Sequence, residues 1–258
     1  MSELHRPHRP DWALTPLLAL QFLTRLPLPD TGRVADRLVG RSLLYYPLVG
    51  GLIGLLLLLT QLLLERILPG QWWVQAALLL TLWVGLTGGL HLDGLADSAD
   101  AWAGGLGDPE RTLALMKDPR CGPAALVWVV LVLLLKASLL AALIPTQAPW
   151  LLWAPLLARA ALPLLFLTTP YVRPGGLGAV LAAELPRRDL RHLLIGIGLL
   201  ALWAGAAAIS ALLLVLLLFW ALRALMQARI GGTTGDTAGA LVELSELTAL
   251  LGLLIVLG

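Results

Sequence analysis

The sequence has few charged residues and a single cysteine, and both shortages narrow the class of protein. Lys, Arg, Asp and Glu make up 13% of the 258 residues, whereas soluble domains carry about 25%. Because Cys121 is the only cysteine, an internal disulfide and a cysteine metal cluster are excluded. The alternation of apolar and polar residues typical of β-strands is absent too, since Leu and Ala dominate over Val, Ile and Thr. A soluble or β-rich protein is therefore disfavoured, and we expect no nucleic-acid partner.

Long apolar runs are what the sequence does have. Hydrophobic residues make up 59% of the chain, and several runs exceed the roughly 20 residues that cross a bilayer. We predict an all-α fold in one domain over 1–258, a polytopic membrane bundle of about seven spans. An interfacial helix over 11–26 and a disordered segment over 1–10 would precede them. The predicted spans are 43–64, 72–90, 123–144, 149–168, 193–208, 211–228 and a last helix ending at Gly258.

The count of seven depends on the apolar region 193–222, whose roughly 30 residues fit one tilted helix or two short ones. Two helices leave all lysines and arginines but Arg66, Lys136 and Arg159 on the side of the N-terminus. The positive-inside rule then places the N-terminus in the cytoplasm and the C-terminus outside. Two helices also bring Asp236 to the same membrane face as Asp93, so we favour them.

Three aspartates follow the second predicted span in the segment 88–105. Asp93, Asp97 and Asp100 are spaced i, i+4, i+7, which places them within a sector of roughly 60° on one helical face. Like charges on one face repel, so a cation is expected there. Hard oxygen ligands suit Mg²⁺, and with Asp236 they form a candidate metal set. The alternative is a set of solvated charges at a helix start.

Proton transfer at such a site needs a base that is close to the metal. Asp93 and Asp97 are candidates for accepting a proton from an alcohol. His91 precedes Asp93 by two residues and would act as an acid, a base or a hydrogen-bond partner of a ligand. A hydrogen-bonded interfacial histidine explains His91 equally well.

A glycine-rich motif, RIGGTTGD, occupies 229–236. Glycines let backbone amides approach an anion, and the helix that follows offers its N-terminus to a phosphate. Arg229 would then hold phosphate, and Glu243 would share a helical face with Asp236 if the helix begins near Thr234. The alternative is a helix–helix turn with an N-cap.

The remaining candidates are basic. Lys117 and Arg120, with Arg111, would neutralise a pyrophosphate, or they form a positive-inside loop. Lys136 and Arg159 lie within predicted spans, where a cation is a candidate functional residue by default. Either would reach the acidic cluster or extend to a membrane surface.

Several segments together resemble those of the cobalamin synthase (adenosylcobinamide-GDP ribazoletransferase) family, in the expected order and from about residue 15 to 245. One departure is that Ala101 and Trp102, rather than a glycine, follow Asp100. The segments are FLTRLPLP at 22–29, YYPLVGGLIG at 45–54, HLDGLADSADAWAGG at 91–105, LALMKDPRCGPAA at 113–125 and RIGGTTGDTAGALVE at 229–243.

The resemblance implies a Mg²⁺-dependent transferase of vitamin B12 assembly in the bacterial inner membrane. A ribose hydroxyl of α-ribazole, or of its 5′-phosphate, would attack the β-phosphate of adenosylcobinamide-GDP and release GMP. Carried onto this sequence, the four aspartates would form the metal and catalytic set, and Lys117, Arg120 and Arg229 would hold phosphate. A CDP-alcohol-type phosphotransferase and a cation-coupled transporter are the alternatives, and the sequence leaves a homo-oligomer open.

Overall fold

The computed structural model describes residues 10–32, 34–146 and 149–258. Within them the chain is helical, with one isolated bridge, between Tyr171 and Thr233, and no strand. Apart from Pro10, the segment predicted to be disordered lies outside the described residues. The helices are α1 Asp11–Leu23, α2 Asp36–Ser42, α3 Tyr46–Ile67, α4 Trp72–Thr87, α5 Leu90–Gly105, α6 Pro109–Leu115, α7 Pro123–Leu143, α8 Trp153–Thr168, α9 Gly176–Ala183, α10 Arg187–Ala204, α11 Ala206–Ile230 and α12 Gly235–Leu257.

The helical membrane architecture is confirmed, and the count of seven spans is approximate. Among the described residues, five helical segments are long and apolar enough to cross a membrane, and α4 with α5 forms a sixth if the bent pair is one span. The predicted span 193–208 corresponds to α10, which is not among these six. Its first two turns carry Arg187, Arg188, Asp189 and Arg191, so its full length is less apolar than that of the others.

The region 193–222 does form two helices, as predicted. α10 ends at Ala204 and α11 begins at Ala206, so the break lies at Gly205 rather than near 209. Gly205 has a φ of 99°, a backbone conformation that residues other than glycine rarely adopt. Residues of α10 between 194 and 198 and of α11 between 212 and 219 line one cavity beside α8, so α11 runs back toward the end at which α10 begins.

The predicted interfacial helix is present as α1, which ends at Leu23 rather than at residue 26. Thr24 adopts an extended backbone, and its hydroxyl donates to the Leu20 carbonyl at 2.7 Å. The helix therefore ends before Pro27 is reached. Its place at the membrane surface remains a prediction.

α12 is the central helix of the bundle, and it packs against α5, α7, α8 and α11. Its buried positions include small residues such as Gly239 and Gly252 as well as Leu241 and Leu253. Small side chains let membrane helices approach closely, so four neighbours fit around one helix. The N-terminal end of α12 carries Asp236.

A sharp bend separates α4 from α5. Gly88 and Gly89 have φ values of 63° and 69°, and the two helix axes differ in direction by 88°. These two successive left-handed residues end α4. Both are glycines, because glycine adopts φ > 0 without strain. The predicted span 72–90 therefore ends at Thr87, and the aspartates lie on a separate helix, α5.

Candidate active site

The three clustered aspartates lie on one face of α5, as the spacing predicted. Asp93 is exposed, whereas Asp97 and Asp100 are half-buried. Leu95 on the opposite side of the helix and Ala101 beside the row are both buried. A carboxylate row is thus held at the edge of the bundle by an apolar face that packs into it.

Asp236 joins this row through a close crossing of α5 and α12. A Cβ built at Gly94 would lie 2.7 Å from the Asp236 carbonyl oxygen and 3.1 Å from the Gly239 Cα. The Asp97 carboxylate lies within electrostatic reach of both Asp93 and Asp236. The predicted union of the two acidic motifs is therefore present in the structure.

The glycine-rich motif forms a short loop whose end caps α12. The Thr234 hydroxyl accepts from the Thr237 backbone N–H at 3.3 Å, and the Thr237 hydroxyl accepts from the Thr234 N–H at 2.9 Å. This reciprocal capping box starts the helix at Gly235, close to the predicted Thr234. Asp236 consequently lies in the first turn, where the helix dipole favours a negative charge.

A second loop, which follows α8, is tied to the glycine-rich loop by backbone hydrogen bonds. The Val172 N–H donates to the Thr233 carbonyl at 2.9 Å, and the Thr233 N–H donates to the Pro170 carbonyl at 2.8 Å. This pairing brings Arg173 to Asp236, and the Arg173 Nη2 and Asp236 Oδ2 atoms are 2.8 Å apart. Arg173 thus supplies a cation to the acidic cluster.

A cavity of about 270 Å³ opens beside the cluster. Asp93 and Asp236 line one end of it, and His91 lines the wall between α5 and α12. His91 is buried, and its Nδ1 atom has no hydrogen-bond partner among the described residues. His91 therefore keeps an unused hydrogen-bonding atom beside the cavity.

Aromatic rings form the other wall of this cavity. Phe22 stacks on Tyr46 with ring centroids 6.0 Å apart, and Phe166 stacks on Tyr171 at 6.1 Å. Burial raises the pKa of Tyr171 and Asp236 raises it further, while Arg173 acts in the opposite direction. The cavity is therefore lined by both carboxylates and aromatic rings, which suits a small ligand with a polar and an aromatic part.

The model of the family described as cobalamin-5-phosphate synthase matches residues 15–254. The chain belongs to the cobalamin-5-phosphate synthase family. Curated relatives from Ectopseudomonas mendocina, Pseudomonas aeruginosa strain UCBPP-PA14 and Stutzerimonas stutzeri are 58%, 59% and 56% identical. These alignments cover 93%, 92% and 94% of this chain and 98%, 96% and 98% of the relatives.

Each of these relatives is named adenosylcobinamide-GDP ribazoletransferase. No solved structure matches the chain. The resemblance noted from the sequence is thus confirmed, and the site described above lies within the part of the chain that the family model covers.

Asp100 accepts hydrogen bonds from the backbone at the start of α7. Its carboxylate accepts from the Gly122 N–H at 2.5 Å and from the Ala125 N–H at 2.9 Å. These are orphan donors of the first turn of α7, so Asp100 caps α7 from another helix. A carboxylate has capacity for further contacts, and the metal role of Asp100 stays a prediction.

The donor set fits Mg²⁺ in one of its usual modes. Asp93, Asp97 and Asp236 supply hard carboxylate oxygens on one face, and Asp93 is exposed. Within the described residues, no three His, Cys, Asp or Glu side chains converge on a single point. Mg²⁺ commonly takes one or two carboxylates and completes its shell with water and substrate phosphate, which this open arrangement would allow.

The basic residues predicted to hold phosphate are placed differently from one another. Arg120 is paired with Asp118 on an exposed loop, with Nη2 and Oδ2 2.5 Å apart, and this contact lowers the pKa of Asp118 to about 2. Lys117 and Arg111 are exposed. Arg229 lines a second groove, on the other side of α5. The described structure therefore brings Arg173, rather than these residues, into contact with the acidic cluster.

Lys136 and Arg159 form a buried network with two glutamates of α12. Lys136 Nζ is 2.6 Å from Glu243 Oε2 and also contacts Glu246, which in turn contacts Arg159. The Trp83 Nε1–H donates to Glu246 at 3.1 Å. One prediction had allowed either cation to reach the aspartates, but neither cation pairs with them. They neutralise Glu243 and Glu246 instead, and they join α4, α7, α8 and α12.

Sequence reasoning missed Arg173, Glu246 and the aromatic wall. Glu246 had a readable signal, because an acidic residue inside an apolar span requires a partner. Arg173 follows Pro170 at the end of a span, where an arginine looks like any other positive-inside residue. The aromatic residues come from α1, α3, α8 and the loop after it, and only the tertiary fold brings them together.

Proposed function

We propose that this chain is an adenosylcobinamide-GDP ribazoletransferase. It joins α-ribazole, or its 5′-phosphate, to adenosylcobinamide-GDP and releases GMP, so that the product is adenosylcobalamin or its 5′-phosphate. Family membership and the names of the relatives support the substrates. The observation that carries the proposal is the crossing of α5 and α12, which places Asp93 and Asp236 at one end of a small cavity.

The reaction is a phosphoryl-type transfer without a covalent enzyme intermediate. The ribose hydroxyl oxygen forms a bond to the β-phosphorus, and the bond from that phosphorus to the oxygen of GMP breaks. The hydroxyl proton passes to a carboxylate, which we assign to Asp93 because it lines the cavity and Asp97 and Asp100 do not. A positioned base of this kind contributes about 10² to 10⁴ in rate.

The cavity would hold α-ribazole. Its aromatic base would lie between the stacked pairs Phe22–Tyr46 and Phe166–Tyr171, since aromatic faces favour offset stacking. His91 would orient the ribose through Nδ1, which has no hydrogen-bond partner among the described residues. The hydroxyl would then face Asp93, and the much larger corrinoid would approach from the open side.

Charge neutralisation is the second requirement, because a pyrophosphate must approach a carboxylate cluster. Asp97 and Asp236, with Asp93 at the rim, would hold Mg²⁺. When bound, Mg²⁺ neutralises the charge that develops on the phosphate oxygens. Arg173, 2.8 Å from Asp236, would bind the same pyrophosphate through its fork of N–H donors.

We further propose that the protein lies in the inner membrane of a bacterium and that its active site faces the cytoplasm. The N-terminus would lie on the same side and the C-terminus outside. Support comes from the lysines and arginines, which fall on the N-terminal side apart from Arg66, Lys136 and Arg159. Since α10 and α11 are two helices, the glycine-rich loop returns to the side on which α10 begins, as this orientation requires.

The decisive experiment measures GMP. The purified protein in liposomes is incubated with adenosylcobinamide-GDP, α-ribazole and Mg²⁺, and released GMP is quantified by chromatography. We expect turnover with the wild-type chain and a loss of at least about a hundredfold in Asp93→Asn. Removal of Mg²⁺ by a chelator should stop the reaction, and added Mg²⁺ should restore it.

Asp189→Asn is the matched control, because Asp189 is an exposed aspartate at the start of α10 and should leave turnover unchanged. A folded wild-type chain that releases no GMP would overturn the proposal. CMP release from a CDP-alcohol would then support the alternative phosphotransferase. Wild-type turnover in Asp93→Asn would refute the assigned base but not the reaction.

A further inference from the structure

A second groove lies on the side of α5 that faces away from the carboxylates. Its volume is about 400 Å³, and α5 contributes Leu95, Ser98, Ala99 and Trp102 to its wall. At about 100° per residue these positions are centred roughly 180° around the helix from Asp93, Asp97 and Asp100. The groove is therefore separated from the proposed reaction centre by the width of a helix.

The groove is bordered by exposed residues of two apolar helices. Trp128 of α7 and Leu225 of α11 line it, and their side chains are 52% and 41% exposed. Both helices belong to segments long and apolar enough to cross a membrane. An occupant would therefore enter from the lipid phase with an apolar body.

The polar groups of the groove can all donate hydrogen bonds, and none is a carboxylate. Arg229 lines it from the last turn of α11, at the level where a span meets the membrane surface, and it forms no ion pair with the described residues. The Ser98 Oγ atom and the Trp102 Nε1 atom are buried and without a partner among the described residues. Ser98 itself is 1% exposed. Buried donors without acceptors are costly, so this set calls for an acceptor-rich ligand with negative charge.

We propose that the groove binds one anionic phospholipid. The phosphate lies against Arg229, oxygens of the head region accept from Ser98 and Trp102, and an acyl chain follows Leu225 and Trp128. The charge favours an anionic over a zwitterionic lipid, because no carboxylate lines the groove beside Arg229. This inference does not depend on the proposed reaction.

The test uses the full-length protein in nanodiscs of phosphatidylcholine mixed with an equal amount of phosphatidylglycerol. Lipid that stays bound after transfer to detergent is identified by native mass spectrometry, without any substrate. We expect phosphatidylglycerol to be retained in preference to phosphatidylcholine. Arg229→Gln should reduce this preference about fivefold, the effect of one arginine at an anionic surface, whereas Arg229→Lys should keep most of it.

Two further variants keep the result decisive. Arg188→Gln removes the same charge from an exposed position on α10 and should leave retention unchanged. Leu225→Trp fills the groove without changing charge and should lower retention even if Arg229→Gln does not fold. No preference for phosphatidylglycerol, or an equal loss in Arg188→Gln, would overturn the proposal. Displacement of the lipid by α-ribazole 5′-phosphate would also overturn it and assign the groove to substrate.

Discussion

Gly94 of α5 packs directly on Gly239 of α12, with the Cβ position of Gly94 only 3.1 Å from the Gly239 Cα. The same position lies 2.7 Å from the Asp236 carbonyl oxygen. Backbone atoms cannot move aside as a flexible side chain can, so any side chain at residue 94 must push the helices apart. The spacing between the two acidic motifs is thus fixed by the absence of a side chain.

Gly94→Ala should separate Asp93 from Asp236 and lower GMP release by about a hundredfold, because small misplacements of catalytic groups are that costly. Circular dichroism should show unchanged helix content. Gly85→Ala is the control, since a Cβ at Gly85 would meet nothing within 4 Å. Equal turnover in Gly94→Ala and Gly85→Ala would show that the close crossing is not needed for catalysis.

Arg173→Gln tests whether this arginine binds the pyrophosphate. Loss of a charge-assisted contact costs about 1.5–3 kcal/mol, so we expect kcat/KM for adenosylcobinamide-GDP to fall by about 10- to 100-fold. The KM for α-ribazole should change less, because Arg173 does not line the cavity that would bind it. Steady-state kinetics with each substrate varied in turn provides the measurement.

Arg187→Gln, an exposed charge at the start of α10, is the control for this change. Arg173→Lys should recover part of the activity, since it keeps the charge but loses the planar fork. If Arg173→Gln left the KM for adenosylcobinamide-GDP unchanged and only lowered thermal stability, Arg173 would serve the fold by pairing with Asp236 and not the substrate.

Much of this arrangement could be predicted from the sequence because helical spacing is a local property. The i, i+4, i+7 aspartates required a shared face, and charge placement required the 193–222 region to turn back, which it does at Gly205. The bend at Gly88 and Gly89 was not predicted. Paired glycines at the end of an apolar run are compatible with a continuous helix and with a break, and only packing decides between them.

Partners of buried charges were beyond the reach of the sequence for a different reason. Lys136 was expected either to reach the acidic cluster or to extend to a membrane surface, and the sequence did not point to Glu243 or Glu246 as its partners. The choice depends on the depth at which each side chain lies, which follows from how α7 packs on α12. Nothing in the sequence distinguishes Arg173 from other loop arginines. Two backbone hydrogen bonds at Thr233 bring it to Asp236.

Asp100 can be assigned by comparing two substitutions. Asparagine has a single acceptor oxygen, so Asp100→Asn should keep one of the two hydrogen bonds from α7 while it removes the charge. Asp100→Ala loses both, and we expect it to lower the free energy of unfolding by about 1 kcal/mol. If capping is the main role, Asp100→Asn keeps most GMP release and its Mg²⁺ dependence.

The opposite pattern would identify Asp100 as a metal ligand. In that case Asp100→Asn would require much more Mg²⁺ for half-maximal turnover while its thermal stability stayed above that of Asp100→Ala. Asp97→Asn is the reference for this comparison, because Asp97 accepts no hydrogen bond from the first turn of α7 among the described residues and is proposed to hold the ion. A Mg²⁺ titration of turnover, with thermal unfolding measured in the same detergent, separates the two roles.

The buried charges of α12 should stabilise the bundle only as a balanced set. Glu243→Gln leaves Lys136 and Arg159 facing Glu246 alone, and removal of one partner from a buried pair costs about 3 kcal/mol or more. Lys136→Met combined with Glu243→Gln restores the balance, with Arg159 and Glu246 still in contact. We therefore expect the double variant to unfold at a higher temperature than the single one in detergent, with Glu184→Gln as an exposed control. A double variant no more stable than Glu243→Gln would show that the charges act individually, for instance through the Lys136 contact with the Trp83 ring at 4.9 Å.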